Sequence, residues 1–510
     1  MRTKNSFFNF LANTGSQIVN IILSFVTRTV FIYMLGQEYL GINGLFGNIL
    51  TVLNLAELGI GTAMIYHIYK PVADEDEREQ QKLMNMYRRL YTIVALVIAA
   101  CGLCLTPFLD YLIKDKPDIP GLTAIYLLYL FNTVSSYFFS YKRAIIEAHQ
   151  KAYINTIITT FLMTAQFLLQ IVILLITRNF IAYLLVQIAC NVLTNVIISI
   201  QADRMYPYLK ADRKSLPEEG VRKSIYKNIG AMFLHRLGDV VVNNTDNLLM
   251  SAFVGIYQVG IYSNYIMIQS SVNTILNGVV GAVTASVGNL NTENDKESLF
   301  RVYKIMLFLG FWIFGYAAVT FMVMYNPFIL TWAGSSYLFE TKIVLAIVAI
   351  FYVNGMRKIT ITFRDAMGLY WYDRYKPIFE VIVNLVSSIW LVNVCGTIGI
   401  FYGTLISTVG ICLWVEPYVT YKHGFFKPVS HYFMTFALYT AIMLAAGGAT
   451  YYVCRFIPDQ GWGPVFLKLL VCTVMYNVII LILFCRTYEF RELWKIIKDL
   501  YERLVLKRDK

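Results

Sequence analysis

QIVNIILSFVTR, residues 17–28, aligns position for position with RLGDVVVNNTDN, residues 236–247, at an offset of 219. Gln17, Asn20, Ser24 and Thr27 fall on Arg236, Asp239, Asn243 and Asp246. Further along, Gly36 and Gly41-Ile42 fall on Gly255 and Gly260-Ile261. The polar positions are spaced 3, 4 and 3 in both copies. On a helix of about 3.6 residues per turn they share one face, so each segment is apolar around most of its surface and hydrogen-bonding along one line. In hydrocarbon such a line has to face protein or water. The pattern predicts a duplicated helical unit whose polar stripes line an interior.

Of the 510 residues 57% are hydrophobic and 15% charged, and the mean hydropathy is +0.57. That much apolar surface has no place inside a soluble fold, which predicts an all-α integral membrane protein. Runs of about 20 apolar residues match a hydrocarbon core of about 30 Å. They predict 14 transmembrane helices, at 10–35, 41–66, 90–112, 122–140, 153–176, 180–201, 229–253, 259–290, 302–325, 339–363, 377–395, 397–418, 432–454 and 465–485. The offset groups them into an N-lobe of six helices (1–201), a charged cytoplasmic linker (202–228) resembling a hinge, and a C-lobe of six (229–423). Two C-terminal helices (424–485) and a basic amphipathic cytoplasmic tail (486–510) complete the chain. The tail's face of Leu493, Trp494, Ile497, Leu500, Tyr501 and Leu504 suits an anionic leaflet. Six is even, so both lobes enter the membrane in the same sense, related by a pseudo-twofold axis along its normal, with a binding site expected between them.

The net charge of +12 does not point to nucleic acid, because of where the charge lies. Of 43 Lys and Arg, 35 fall on one set of alternate helix ends and tails. This asymmetry places the N and C termini in the cytoplasm. The first apolar run is too long for a cleavable signal. The eight cysteines imply no disulfide framework, and Cys101 and Cys104 sit in an apolar run without further ligands. There is no GxxxxGK(S/T) phosphate loop, no zinc spacing among the five histidines and no GxSxG elbow. No catalytic residue, metal or cofactor is therefore expected.

Arg28 lies about ten ångströms inside the outer interface by helical rise. An intramembrane cation is costly, so it reads either as an anion-binding group in a wet cavity or as a charge that snorkels or pairs with a distant acid such as Glu57. Arg236 and Asp239, three residues apart, either neutralise each other or divide the work, with Arg236 attracting a phosphate. Asp239, Asp246 and Glu57 are the carboxylates that would titrate or bind a coupling H+ or Na+. Gln17, Asn20 and Asn243 add polar cavity positions. Arg357 and Lys358, near the cytoplasmic end of the tenth span, read as phosphate attractors at the cavity mouth or as snorkelling side chains.

Several motifs carry a resemblance: GQEYLGINGLF (36–46), NLAELGIGTAMIY (54–66), TDNLLMSAFVGIYQVGIYSNY (245–265), SVGNL (286–290), FRDAMGLYWYDRYKP (363–377), GTIGIFYGTLIS (396–407) and WVEPYVTYKHGF (414–425). In order and spacing they resemble the bacterial polysaccharide transporters, the oligosaccharide flippases of the multidrug/oligosaccharidyl-lipid/polysaccharide (MOP) flippase superfamily. The resemblance covers residues 5–425. It implies a two-lobed helical bundle in the bacterial cytoplasmic (inner) membrane that opens alternately to either side. Its cationic cavity would handle a polyprenyl-diphosphate-linked oligosaccharide, with membrane lipids, a polysaccharide polymerase and glycosyltransferases as partners. It also implies that Arg28 is the basic residue common in the first span and that the two C-terminal helices accommodate a lipid tail. A multidrug exporter of the same fold would need acid-dominated cavities, and a membrane glycosyltransferase or polymerase would need larger external loops. The sequence expectation is thus a non-enzymatic flippase serving capsule, exopolysaccharide or O-antigen assembly.

Overall fold

A computed structural model describes residues 2–57, 60–114, 119–212, 214–292 and 296–506. The regular structure among them is entirely helical. Eleven helices within the described residues are long and apolar enough to cross a membrane, and the chain is a multi-pass integral membrane protein. The expected spans at 10–35 and 41–66 are carried by α1, Arg2–Leu53, continuing through a single turn, Asn54–Glu57, towards α2, Ile60–Ala73. The next four fall on α3 (Glu77–Leu105), α4 (Leu122–Ser140), α5 (Ala152–Thr177) and α6 (Phe180–Met205). The seventh and eighth fall on α7 (Glu219–Leu249) and α8 (Ile256–Thr292). The remainder fall on α9 (Lys296–Trp332), α10 (Thr341–Ala366), α11 (Lys376–Cys395), α12 (Thr397–Phe425), α13 (Ser430–Cys454) and α14 (Trp462–Phe484). The amphipathic α15 spans Tyr488–Leu506.

The duplication is visible in the backbone. Gly36 breaks α1 at φ 83° and ψ −169°, and Gly255, its counterpart, breaks the chain at φ 134° and ψ 159° after a π turn at Met250–Val254. A side chain at such positive φ is strained, so glycine is required at both breaks. Lys114 Nζ and Ser251 Oγ brace the second break, donating to Phe253 O (2.7 Å) and Leu112 O (2.7 Å).

The chain divides into two compact units, Met1–Ser263 and Asn264–Lys510. In the first, α1 packs along α5 and α7, and α3, α4 and α6 pack together. Part of the charged linker is tied to α3. Gln81 Nε2 donates to Tyr208 O (2.6 Å), Asn85 Nδ2 to Asp212 O (2.7 Å) and Ser215 O (3.0 Å), and Arg89 Nη2 to Lys214 O (3.2 Å). This explains why Gln81 and Asn85 are buried, because each satisfies linker carbonyls that would otherwise lack donors.

In the second unit α9 is the central helix, contacted by α10, α13, α14 and α15. Trp312 Nε1 donates to Asn477 Oδ1 (2.8 Å), and the Tyr316 and Thr473 hydroxyls are paired at 2.7 Å. These bonds tie α14 to α9 through paired polar groups. The tail joins the same cluster: Phe490 stacks on Trp312 at 5.7 Å and Leu493 is buried. Trp494, from the predicted apolar face, is exposed.

Candidate functional site

The first polar stripe grades from exposed to buried along α1. Gln17 and Asn20 are exposed, Ser24 is half-buried and bonded to Ile21 O, and Thr27 is buried. Asp246, the counterpart of Thr27, is likewise buried and lies near the Tyr262 ring. The side chains of Arg236, Asp239 and Asn243 lie outside the described residues.

Arg28 is half-buried and reaches from α1 to the start of α8, where Nη2 donates to Ser263 Oγ (2.5 Å). That hydroxyl donates in turn to Gly260 O (2.7 Å), which orients its lone pairs towards the guanidinium. Tyr129 and Tyr183 lie within electrostatic reach of the same charge, and the Tyr129 hydroxyl donates to Asn43 Oδ1. The result is a guanidinium fork in a setting of hydroxyls and an amide. Such a fork matches the two oxygens of a carboxylate or phosphate.

Glu57 lies apart from that cluster. Tyr91 donates to Oε1 (2.6 Å) and Tyr137 to Oε2 (2.7 Å), so both carboxylate oxygens accept phenol hydrogen bonds. Tyr87 closes the group, its ring edge-on to Tyr91 at 4.8 Å.

Arg357 is engaged within a buried charge cluster of the second unit. Its Nε and Nη2 grip Glu416 at 2.9 and 2.7 Å, and Nη1 donates to Asn354 Oδ1 (2.7 Å). Lys376 donates to Glu416 Oε1 (2.7 Å) and lies 3.4 Å from Glu380. Two cations and two carboxylates thus balance inside the apolar bundle, the condition under which buried charge is tolerated. Lys358 is exposed and separate. At the end of α10 Arg364 pairs with Asp365 (2.7 Å) and with Asp373 of the following turn. Burial pushes the Asp373 carboxyl up, against the pull of Arg364.

Of the residues singled out in the sequence, the structure thus brings Arg28 to the second repeat and places Glu57 and Arg357 in separate clusters. Ser263, Tyr91, Tyr137, Lys376, Glu380 and Glu416 were not singled out. An acid within an apolar run was the available signal for Glu380 and Glu416, whereas nothing in the sequence marks which tyrosine or serine meets a given charge.

The fold is similar to that of known transporters. The lipid II flippase MurJ, in an inward closed conformation, matches at TM-score 0.65 and 14% identity, over 94% of this chain and 98% of that one. An inward-facing multidrug resistance transporter of the MATE family, in the MOP superfamily, matches at TM-score 0.63 and 16% identity, over 79% and 94%. The MATE transporter VcmN of Vibrio cholerae matches at TM-score 0.55 and 15% identity, over 84% and 99%. No curated protein sequence matches the chain. A sequence model of the polysaccharide biosynthesis protein family matches residues 6–287, more than half of the chain and all of the duplicated stripe. The chain belongs to the polysaccharide biosynthesis protein family.

Proposed function

We propose that the protein is a flippase that moves a polyprenyl-diphosphate-linked oligosaccharide repeat unit across the bacterial cytoplasmic membrane by alternating access, without making or breaking a bond. The observation that carries this reading is the half-buried Arg28 fork, set among hydroxyls inside an apolar helix of a polysaccharide biosynthesis family member. A guanidinium there offers a planar bidentate contact to a diphosphate oxygen pair. The exposed amides of Gln17 and Asn20, on the same helix face, suit the attached sugar hydroxyls. Arg236, Asp239, Asn243 and Asp246, the matching positions of the second repeat, are the further residues assigned to the substrate path by sequence, with Lys358 as an outlying attractor. Glu57, whose carboxylate accepts from two phenols, is a candidate alongside Asp239 and Asp246 for contact with a coupling H+ or Na+. Membrane lipids, a polymerase and glycosyltransferases are the expected partners.

The test is glycan export in a cell lacking the chromosomal copy. Arg28→Ala and Arg236→Ala should each abolish export at unchanged protein level, and Arg28→Lys, which keeps the charge but loses the fork, should restore it only in part. Normal export in both alanine variants would remove the site. Loss of drug resistance with intact surface glycan would favour a multidrug exporter instead.

A further inference from the structure

A polar cavity lies wholly within the first unit, between α4, α5, α6 and the short helix Arg143–Ala148. Its volume is about 380 Å³, within the range of small-molecule sites. Thr159 and Gln166 face it from α5, Gln187, Asn191 and Thr194 from α6, Asn132 from α4, and Arg143 closes one end. On both α5 and α6 these positions recur at intervals of three, four or seven, so each helix presents a polar stripe along one face. Polar stripes on two otherwise apolar spans have to face protein, water or a bound polar group.

The side chains are already oriented. Arg143 Nη2 donates to Asn195 Oδ1 (3.1 Å), Asn195 Nδ2 to Asn191 Oδ1 (3.3 Å), and Asn191 Nδ2 to Asn132 Oδ1 (2.9 Å). Two groups are left over: Arg143 Nε and Thr159 Oγ1 are buried without a hydrogen-bond partner. Glu147, one turn along, offsets part of the Arg143 charge. No carboxylate is among the lining side chains, so the cavity is unsuited to a cation.

We propose that this cavity binds a sugar ring that carries an anionic substituent, its hydroxyls against the amides and its carboxylate or phosphate against Arg143. Sugar hydroxyls donate and accept at once, and so do primary amides, so the amides are complementary to a polyol, while Met163 on α5 offers an apolar contact to the face of the ring. That the sugar belongs to the transported glycan rests on the flippase reading above.

The experiment is saturation-transfer NMR on the full-length protein in lipid nanodiscs, with glucuronate, glucose 1-phosphate, glucose and acetate as probes. Glucuronate and glucose 1-phosphate, which separate a carboxylate from a phosphate source, should receive saturation, glucose less, and acetate none. Arg143→Gln and Asn191→Leu should each weaken the sugar acid by about tenfold, the loss of one charge-assisted or paired hydrogen bond. If Arg143→Gln fails to fold, Gln187→Leu, which only removes an amide from a span, should still weaken it. Acetate bound as well as the sugar acids would make this a plain anion site and overturn the proposal, as would the absence of saturation on every sugar. Lost sugar binding with glycan transport intact would remove this site alone, and intact binding without transport would remove the flippase reading alone.

Discussion

Gly41 and Gly260, equivalent positions of the duplicated segment, are packed against each other's chain. A Cβ on Gly41 would come within 2.2 Å of the Ile256 carbonyl oxygen, and a Cβ on Gly260 within 2.6 Å of the Gln37 carbonyl oxygen. Gln37 and Ile256 are themselves equivalent in the repeat, so the contact is reciprocal. Two helices approach closely only where small residues leave room. This pair brings the start of α8 against α1, and with it Ser263 to Arg28.

Gly41→Ala and Gly260→Ala should therefore each destabilise the protein by about 1–3 kcal/mol or more, since backbone cannot yield as a flexible side chain does. Lower melting temperatures in detergent check this. Gly47→Ala, whose Cβ would meet nothing within 4 Å, is the comparison that should melt normally.

Glu416 is gripped by both Arg357 and Lys376 with its side chain fully buried. Glu416→Gln leaves two cations facing Glu380 alone and should cost about 3–5 kcal/mol. Arg357→Met combined with Glu416→Leu should recover part of that loss, because removing both partners spares the unpaired charge. Thermal unfolding of the purified single and double variants measures the difference. Equal loss in both would assign the cost to packing.

The two phenols on Glu57 make separable contributions. Tyr91→Phe and Tyr137→Phe should each lower stability by about 1–2 kcal/mol, the worth of a hydrogen bond to a charged acceptor. Because both bonds end on one carboxylate, the double variant should depart from additivity in a mutant cycle.

His149, in the connection between α4 and α5, packs against the Tyr206 ring at a centroid distance of 4.3 Å and a tilt of 32°, and burial lowers its pKa from 6.5. A histidine whose folded pKa lies below its unfolded one disfavours the proton when folded. Stability is therefore unaffected well above 6.5 and is lost as pH falls from 6.5 towards the folded pKa. Between about pH 7.5 and about pH 5.5 the wild-type melting temperature should fall further than that of His149→Gln.

Much of this architecture is legible in the sequence because it rests on periodicity. The 219-residue offset, read from polar spacing, reappears as matched backbone breaks at Gly36 and Gly255. Helix existence follows from apolar length, and among the described residues eleven helices are long and apolar enough to cross a membrane. Pairing was not legible. The linker reads as a hinge from its charge and prolines, yet Gln81, Asn85 and Arg89 hold part of it to α3, which only the three-dimensional approach of residues about 127 apart brings about. Arg357 reads as a cationic lure from its position near a helix end, and its engagement with Glu416 depends on a residue 59 positions away. The motifs 363–377 and 414–425 did contain the partners, since Lys376 lies in one and Glu416 in the other.

The central claim is that Arg28 handles the anionic headgroup of a lipid-linked glycan. Its most direct test is transbilayer movement in proteoliposomes holding the full-length protein and a polyprenyl-diphosphate-linked oligosaccharide, followed by modification of glycan exposed at the outer face. Wild-type protein should expose the inner pool, Arg28→Ala should leave it protected, and Arg28→Lys should fall between. Exposure by Arg28→Ala at the wild-type rate, or none by the wild type with the protein correctly folded, would contradict the account.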